Sequence, residues 1–243
     1  MPFSRPSSER GARPISSKRA AHPECLGPES LDKIAYFETL RAYGGKIFCL
    51  DRHLERLEES CRAALDALPI GKSELGRRLT RSLAESGLAE AVLRVSVSWE
   101  DEKKGSAIVM VREFKPRDPE LYRKGIELRT AVMRRWGFRA QDPKIKASQF
   151  MNGVLAFLDK GDAPADELLF LGQNGVVAEG SISNIFIVRE KRLLTPDTAS
   201  GILRGVTRGL VTELAQKRKI PFVETLLTRH EIYNANFFVK HQN

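Results

Sequence analysis

Cysteine is scarce in this chain of 243 residues, with only Cys25, Cys49 and Cys61 present. Three thiols with neither an even count nor metal-ligand spacing exclude a disulfide framework, and no metal site is expected. They suit a reduced, cytoplasmic setting. Long apolar runs are also lacking: none reaches the ~20 residues that a membrane-spanning helix needs. The N-terminus has no apolar stretch of the kind that leads secreted proteins. The chain therefore reads as a soluble protein with no membrane partner. Positive charge is plentiful, at a net +9, but the pattern of a nucleic-acid surface is missing. Residues 1–22 hold Arg5, Arg10, Arg13, Lys18 and Arg19 against Glu9 alone, a net +4. The remaining charge is scattered, with no helix-long basic stripe and no interleaved aromatics, so no nucleic-acid partner is expected. Scattered basic charge still steers anionic metabolites and phosphates. No internal repeat is visible.

What is present reads as α+β followed by α/β. Residues 1–33, rich in Ser, Arg, Pro and Gly, form a basic tail without periodicity. An organelle transit peptide shares that composition, and the tail is the preferred reading. A small α+β domain is expected over 34–135, a connector over 136–146 and a larger domain over 147–243. Phe37 to Tyr43 reads as a strand, Gly44-Gly45 as a hairpin turn and Lys46 to Leu50 as the return. Asp51 is placed to cap a helix whose Leu54, Leu57, Cys61, Leu65 and Leu68 share a face. A second helix spans about 73–86, ended by Gly87. Leu93, Val95, Val97 and Trp99 alternate with polar residues as in a half-buried strand, and 107–111 and 126–130 supply two more. A helix is expected after Lys146, through Val154, Leu155 and Leu158. Strands at 168–171 and 176–178 flank the Asn174-Gly175 turn, and Ile185 to Val188 is another. Val206, Leu210 and Leu214 give the inner stripe of a later helix.

Certain residues stand out chemically. Lys144 and Lys146 project to the same side of an extended run, Asp142-Pro143-Lys144-Ile145-Lys146, and spacing does not choose between them. Glu179 follows a turn and a short apolar strand, where a side chain can face a cleft. Leu203-Arg204-Gly205-Val206-Thr207-Arg208 opens a helix with glycine, and backbone N–H groups at a helix start suit a phosphate. Arg56, in His53-Leu54-Glu55-Arg56-Leu57, lies at the edge of a buried stripe, and a guanidinium fork suits a phosphate dianion.

In order and wording these segments resemble the class IV (fold type IV) aminotransferases, which use pyridoxal 5'-phosphate. The match runs over roughly 36–236. It implies a two-domain architecture with the cofactor in the larger domain, and it selects Lys146, in Ile145-Lys146-Ala147-Ser148, as the lysine that condenses with the cofactor aldehyde. It implies that Glu179, in Glu179-Gly180-Ser181-Ile182-Ser183-Asn184, keeps the pyridine nitrogen protonated. By the same resemblance Arg56, Gly205 and the Val206 and Thr207 amides hold the phosphate, while Leu203 packs on the ring. His53 carries structural rather than catalytic weight. Glu38, Arg41 and Tyr43, in a Phe-Glu-Thr-x-Arg-x-Tyr strand, line the substrate side, and Arg94 is placed for a substrate carboxylate.

The chain departs from the family pattern at both ends, where it reads as shortened. Pro28 to Lys33 replace an Asp-x-Gly approach, and Tyr233 to Val239 resemble an Ala-Asp-Glu-x-Phe segment without its glutamate. Phe150 stands where branched-chain aminotransferases carry tyrosine, and Val92-Leu93-Arg94 where they carry Tyr-x-Arg. The resemblance thus implies a transaminase of branched-chain-like L-amino acids with a 2-oxo acid acceptor, working as a homodimer. The alternatives are 4-amino-4-deoxychorismate lyase and a shortened, non-catalytic paralogue.

Overall fold

The computed structural model describes residues 35–63, 67–99, 105–135, 145–147, 166–235 and 237–242. Every described residue belongs to one compact unit, Lys33–Asn243. The basic tail over 1–33, most of the connector over 136–146, Phe150 and the helix expected after Lys146 lie outside the described residues.

The first half builds an antiparallel sheet with β1 (Tyr36–Tyr43), β2 (Lys46–Ile47), β3 (Ala91–Trp99) and β4 (Gly105–Glu113), in the order β2-β1-β3-β4. Burial alternates strictly along β1 and β3, as a period of two requires of a sheet covered on one face. The covering helices are α1 (Leu50–Ala63) and α2 (Lys72–Ser86). Leu54, Leu57 and Cys61 of α1 and Leu75, Leu79 and Leu83 of α2 close over Tyr36, Leu40, Ala42, Leu93, Val95 and Val97. Each fully buried leucine contributes about 1.5–3 kcal/mol to that face. Tyr36 meets Trp99 edge to face, with ring centroids 5.9 Å apart.

Three local details differ from the sequence expectation, the first being that α1 closes at Ala63, so Leu68 stands beyond the helix expected to hold it. The return strand stops at Ile47, because Cys49 at φ 52° turns the chain directly into α1. Asp51 consequently lies inside the first turn of the helix rather than capping it. There it still faces the positive end of the helix dipole. The strand expected at 126–130 begins only at Leu128, since the Glu127 N–H is taken by Asp166 Oδ2 at 2.8 Å.

A six-residue helix, α3 (Pro119–Lys124), leads to β5 (Leu128–Arg134). This strand pairs in parallel with β6 (Glu167–Leu171), which pairs antiparallel with β7 (Val177–Gly180). Both β6 and β7 are buried throughout and show no alternation, and each carries one buried glutamate, Glu167 and Glu179. A further sheet, ordered β10-β9-β8-β11, contains β8 (Ser183–Arg189), β9 (Arg192–Pro196), β10 (Phe222–Thr225) and β11 (Phe237–Gln242). Helix α4 (Val206–Lys217) crosses between the parallel strands β9 and β10, and α5 (Arg229–Tyr233) precedes β11. Leu169, Leu171, Val177, Ile185, Ile187 and Leu227 form the core here.

In α4 the inward positions are Val206, Arg208 and Ala215, whereas Leu214 is 54% exposed. The stripe expected through Leu214 is therefore rotated. Arg208 takes an inward place because its guanidinium donates Nη2 to Pro196 O at 3.0 Å and pairs with Glu224.

Candidate active site

Lys146 is tied by its backbone to the first sheet and its helix. Its N–H donates to Ser60 Oγ at 3.1 Å, its carbonyl accepts from Phe37 N at 3.2 Å, and Ala147 bridges to Tyr36. The segment occupies the edge of β1 that the two-residue β2 leaves open. The side chain is 6% exposed, with Nζ 5.5 Å from the centroid of the Phe37 ring. Burial first, and the nearby Arg56 guanidinium second, pull the Lys146 amine down to about 8, against upward pulls from Glu38 and Glu179.

Glu38 points to the helix-covered face of β1, as its even position in the alternation dictates, and is fully buried. Its carboxylate accepts Arg56 Nε at 2.7 Å, Arg56 Nη2 at 2.6 Å and His53 Nδ1 at 2.8 Å. Burial pushes this carboxyl up, but Arg56 and His53 outweigh it and hold it at about 2. The third nitrogen of Arg56, Nη1, donates to Arg204 O at 3.1 Å, one residue before Gly205. Arg56 thus joins α1 to the start of α4.

That start is uncapped: Gly205 at φ −63° and ψ 136° leads into Val206 with no side-chain hydrogen bond to the first turn. The first N–H groups of a helix have no intrahelical acceptor, so this end is open to an anion. Leu203 just before it is 3% exposed.

Glu179, at the end of β7, is buried beside this turn. Oε1 accepts from Arg135 Nη2, while Oε2 accepts from Asn184 Nδ2 and Leu203 N, each at 3.0 Å. Burial pushes the Glu179 carboxyl above the usual range, with the Arg135 charge opposing it. Asn184 also donates to Leu203 O at 3.0 Å and so clamps the turn from both sides.

The structure therefore brings Lys146, Arg56, Glu38, Glu179, Leu203 and Gly205-Val206-Thr207 into one connected network. Arg94 borders it: its guanidinium carbon lies 3.9 Å from the centroid of the Phe37 ring, and Nε donates to Ser96 Oγ at 3.4 Å. Among the described residues Arg94 has no carboxylate partner, and burial pulls its guanidinium down. Arg41 and Tyr43 lie elsewhere, at the hairpin end of β1. Four residues of strand separate Arg41 from Phe37, roughly 13 Å. Its guanidinium binds Glu90 and donates to Ala91 O at 3.0 Å, and Tyr43 is 54% exposed. Two contributors escaped the sequence reading. Arg135 is the last residue of the domain expected over 34–135, and an arginine directly after an apolar-polar strand is a weak sign. Ser60 sits on the inner stripe of α1 among leucines and carries no signal of its own.

A buried amine, a buried carboxylate and an uncapped helix start on this framework define a class. The T.th. branched-chain amino acid aminotransferase, solved with pyridoxamine 5'-phosphate, has the same fold. Its TM-score is 0.80 at 26% identity, covering 86% of this chain and 73% of that one. The chain has the fold type IV architecture of pyridoxal-phosphate enzymes. The family described as "Amino-transferase class IV" matches residues 35–239, and the chain belongs to that family. A Methanocaldococcus jannaschii protein provisionally named a branched-chain-amino-acid aminotransferase is 33% identical over 207 residues, 82% of this chain and 72% of its own length. Aminodeoxychorismate lyase of Bacillus subtilis is 30% identical over 224 residues, 84% of this chain and 74% of that protein.

Proposed function

We propose that this class IV enzyme transaminates branched-chain-like L-amino acids with a 2-oxo acid as acceptor, using Lys146 as its reactive amine. The observation that carries the reading is the state of that amine, enclosed and held at about 8 beside a buried carboxylate and an uncapped helix start. At pH 7 roughly one such amine in ten is neutral, against roughly one in several thousand for an ordinary lysine. A neutral amine is what nucleophilic and general-base chemistry require.

The residues present fit pyridoxal phosphate. Arg56 and the Val206 and Thr207 N–H groups would hold the phosphate, and Leu203 would cover a ring face. Glu179 would face the ring nitrogen, and its carboxylate charge would favour the protonated ring. When bound, the cofactor supplies the carbon that accepts the amino group and a ring that takes up the electron pair. Lys146 Nζ would take the proton from the substrate α-carbon and deliver it to the cofactor carbon that receives the amino group. Arg94, cationic and without a carboxylate partner among the described residues, binds the substrate carboxylate. Glu38 is engaged by Arg56 and His53 on the helix-covered face of β1, and Arg41 is committed to Glu90, so neither is assigned to substrate.

Association as a homodimer and a cytoplasmic setting belong to the same reading. The Bacillus relative supports a second one, in which the same lysine drives loss of pyruvate from aminodeoxychorismate. Incubation with leucine, isoleucine or valine and a 2-oxo acid, and separately with aminodeoxychorismate, decides between them. Oxo-acid products from the first set support transamination, and 4-aminobenzoate from the second alone overturns it.

A further inference from the structure

Glu38 and Arg56 form a pair whose geometry serves two ends at once. Their contact is two-pronged, at 2.7 and 2.6 Å, and His53 one turn earlier on α1 adds a third donor at 2.8 Å. A carboxylate can only accept, so His53 carries a proton on Nδ1. With Nη1 on Arg204 O at 3.1 Å, each guanidinium nitrogen of Arg56 has an acceptor. The side chain therefore has one orientation. Each of its terminal nitrogens keeps a second N–H with no acceptor among the described residues, beside the start of α4.

The same pair flanks the anchoring of Lys146: Glu38 follows Phe37, whose N–H bonds the Lys146 carbonyl, and Arg56 lies one turn before Ser60, which accepts the Lys146 N–H. The charged groups acting on the Lys146 amine are Arg56 from α1, Glu38 from β1, Glu179 from β7 and Arg94 from β3. Arg56 and Glu38 act on it in opposite directions.

We propose that Glu38, assisted by His53, is a positioning residue that locks Arg56 against the start of α4 and offsets part of the Arg56 charge at Lys146. The proposal rests on the reading of Lys146 as the reactive amine and Arg56 as an anion ligand. Glu38 limits how far the Arg56 charge depresses the amine, since it pulls the other way. The carboxylate leaves the cation's outer N–H groups for an anion and offsets part of its field at the amine.

The test uses the full chain freed of cofactor. Lys146 is labelled with trace acetic anhydride across pH 5–11 and quantified by mass spectrometry of its peptide. Glu38→Gln should lower the Lys146 midpoint by about one unit or more, as loss of a close opposite charge does. Arg56→Gln should raise it. The double variant, which buries neither charge, should return to within about half a unit of the unaltered chain. Single variants that move the midpoint in the same direction, or not at all, overturn the offset. Should Glu38→Gln fail to fold, the double variant decides alone: a midpoint displaced by more than about one unit overturns the proposal. For the lock, Glu38→Asp keeps the charge but shortens the reach. Inorganic phosphate, measured by calorimetry, should then bind several-fold more weakly, and unchanged affinity overturns this half. A chain that never takes up pyridoxal phosphate would sink the cofactor reading, yet the labelling midpoints would still stand or fall independently.

Discussion

Replacing Arg135 by Met isolates the buried ion pair that the fold places under the candidate site. Arg135 and Glu179 are 4% and 1% exposed, and the Arg135 Nη2 contact on Oε1 is lost in the variant. Its Nε contact with Gly201 O at 3.3 Å is lost as well. Removing one partner of a buried pair costs about 3–5 kcal/mol, because the other charge is left uncompensated. Asn184 Nδ2 and Leu203 N still donate to Oε2 at 3.0 Å, which argues for the lower end. The expected loss is therefore about 3 kcal/mol, a hundredfold or so in the folded-to-unfolded ratio. It also depends on pH. Burial already raises the Glu179 carboxyl, and without Arg135 it rises further. A carboxyl whose folded value exceeds its unfolded value stabilises fully below the unfolded value, and that contribution is lost as pH rises through the folded value. The variant should therefore be more nearly normal at pH 5 than at pH 8. Urea denaturation at both pH values measures this, and Arg135→Met/Glu179→Gln should recover most of the loss. A deficit below about 1 kcal/mol at pH 8, or one that is the same at pH 5, refutes the reasoning.

Two further outcomes are expected. Glu38, held at about 2 against 4.5 for a free carboxyl, stabilises the fold above pH 4.5 and loses that contribution as pH falls toward 2. The amount is about 3 kcal/mol, so urea midpoints of Glu38→Gln should show a flatter acid limb than those of the unaltered chain. Gly180→Ala should destabilise by about 1–3 kcal/mol in thermal or urea melts. A Cβ there would collide with Ser183 Oγ and the Glu167 carboxylate, which hold each other at 2.7 Å.

Much of the fold was legible because its first sheet alternates cleanly and because Gly44-Gly45, Gly87 and Asn174-Gly175 mark real turns. Strands β9, β10 and β11 were not legible. Arg192–Pro196 and Phe222–Thr225 are short and mixed in polarity, and they are fixed by pairing with each other and with β8 rather than by their own pattern. In α4, polar contacts of Arg208 overrode the hydrophobic stripe that pointed to Leu214. The site residues showed the same division. Lys146, Glu179 and Gly205 stood in motifs, whereas Arg135 and Ser60 act through tertiary contacts that no local spacing encodes. Glu38 was visible as a strand residue, but its role depends on the parity of β1 and on the turn of α1 that meets it.

The central claim is that Lys146 is the reactive amine of a pyridoxal-phosphate site. It is tested most directly by loading the purified chain with pyridoxal phosphate, reducing it with borohydride and mapping the label by mass spectrometry. The account expects a single reduced adduct on the Lys146 peptide, with none in Lys146→Ala. An adduct on another lysine, or none on the unaltered chain, would contradict it.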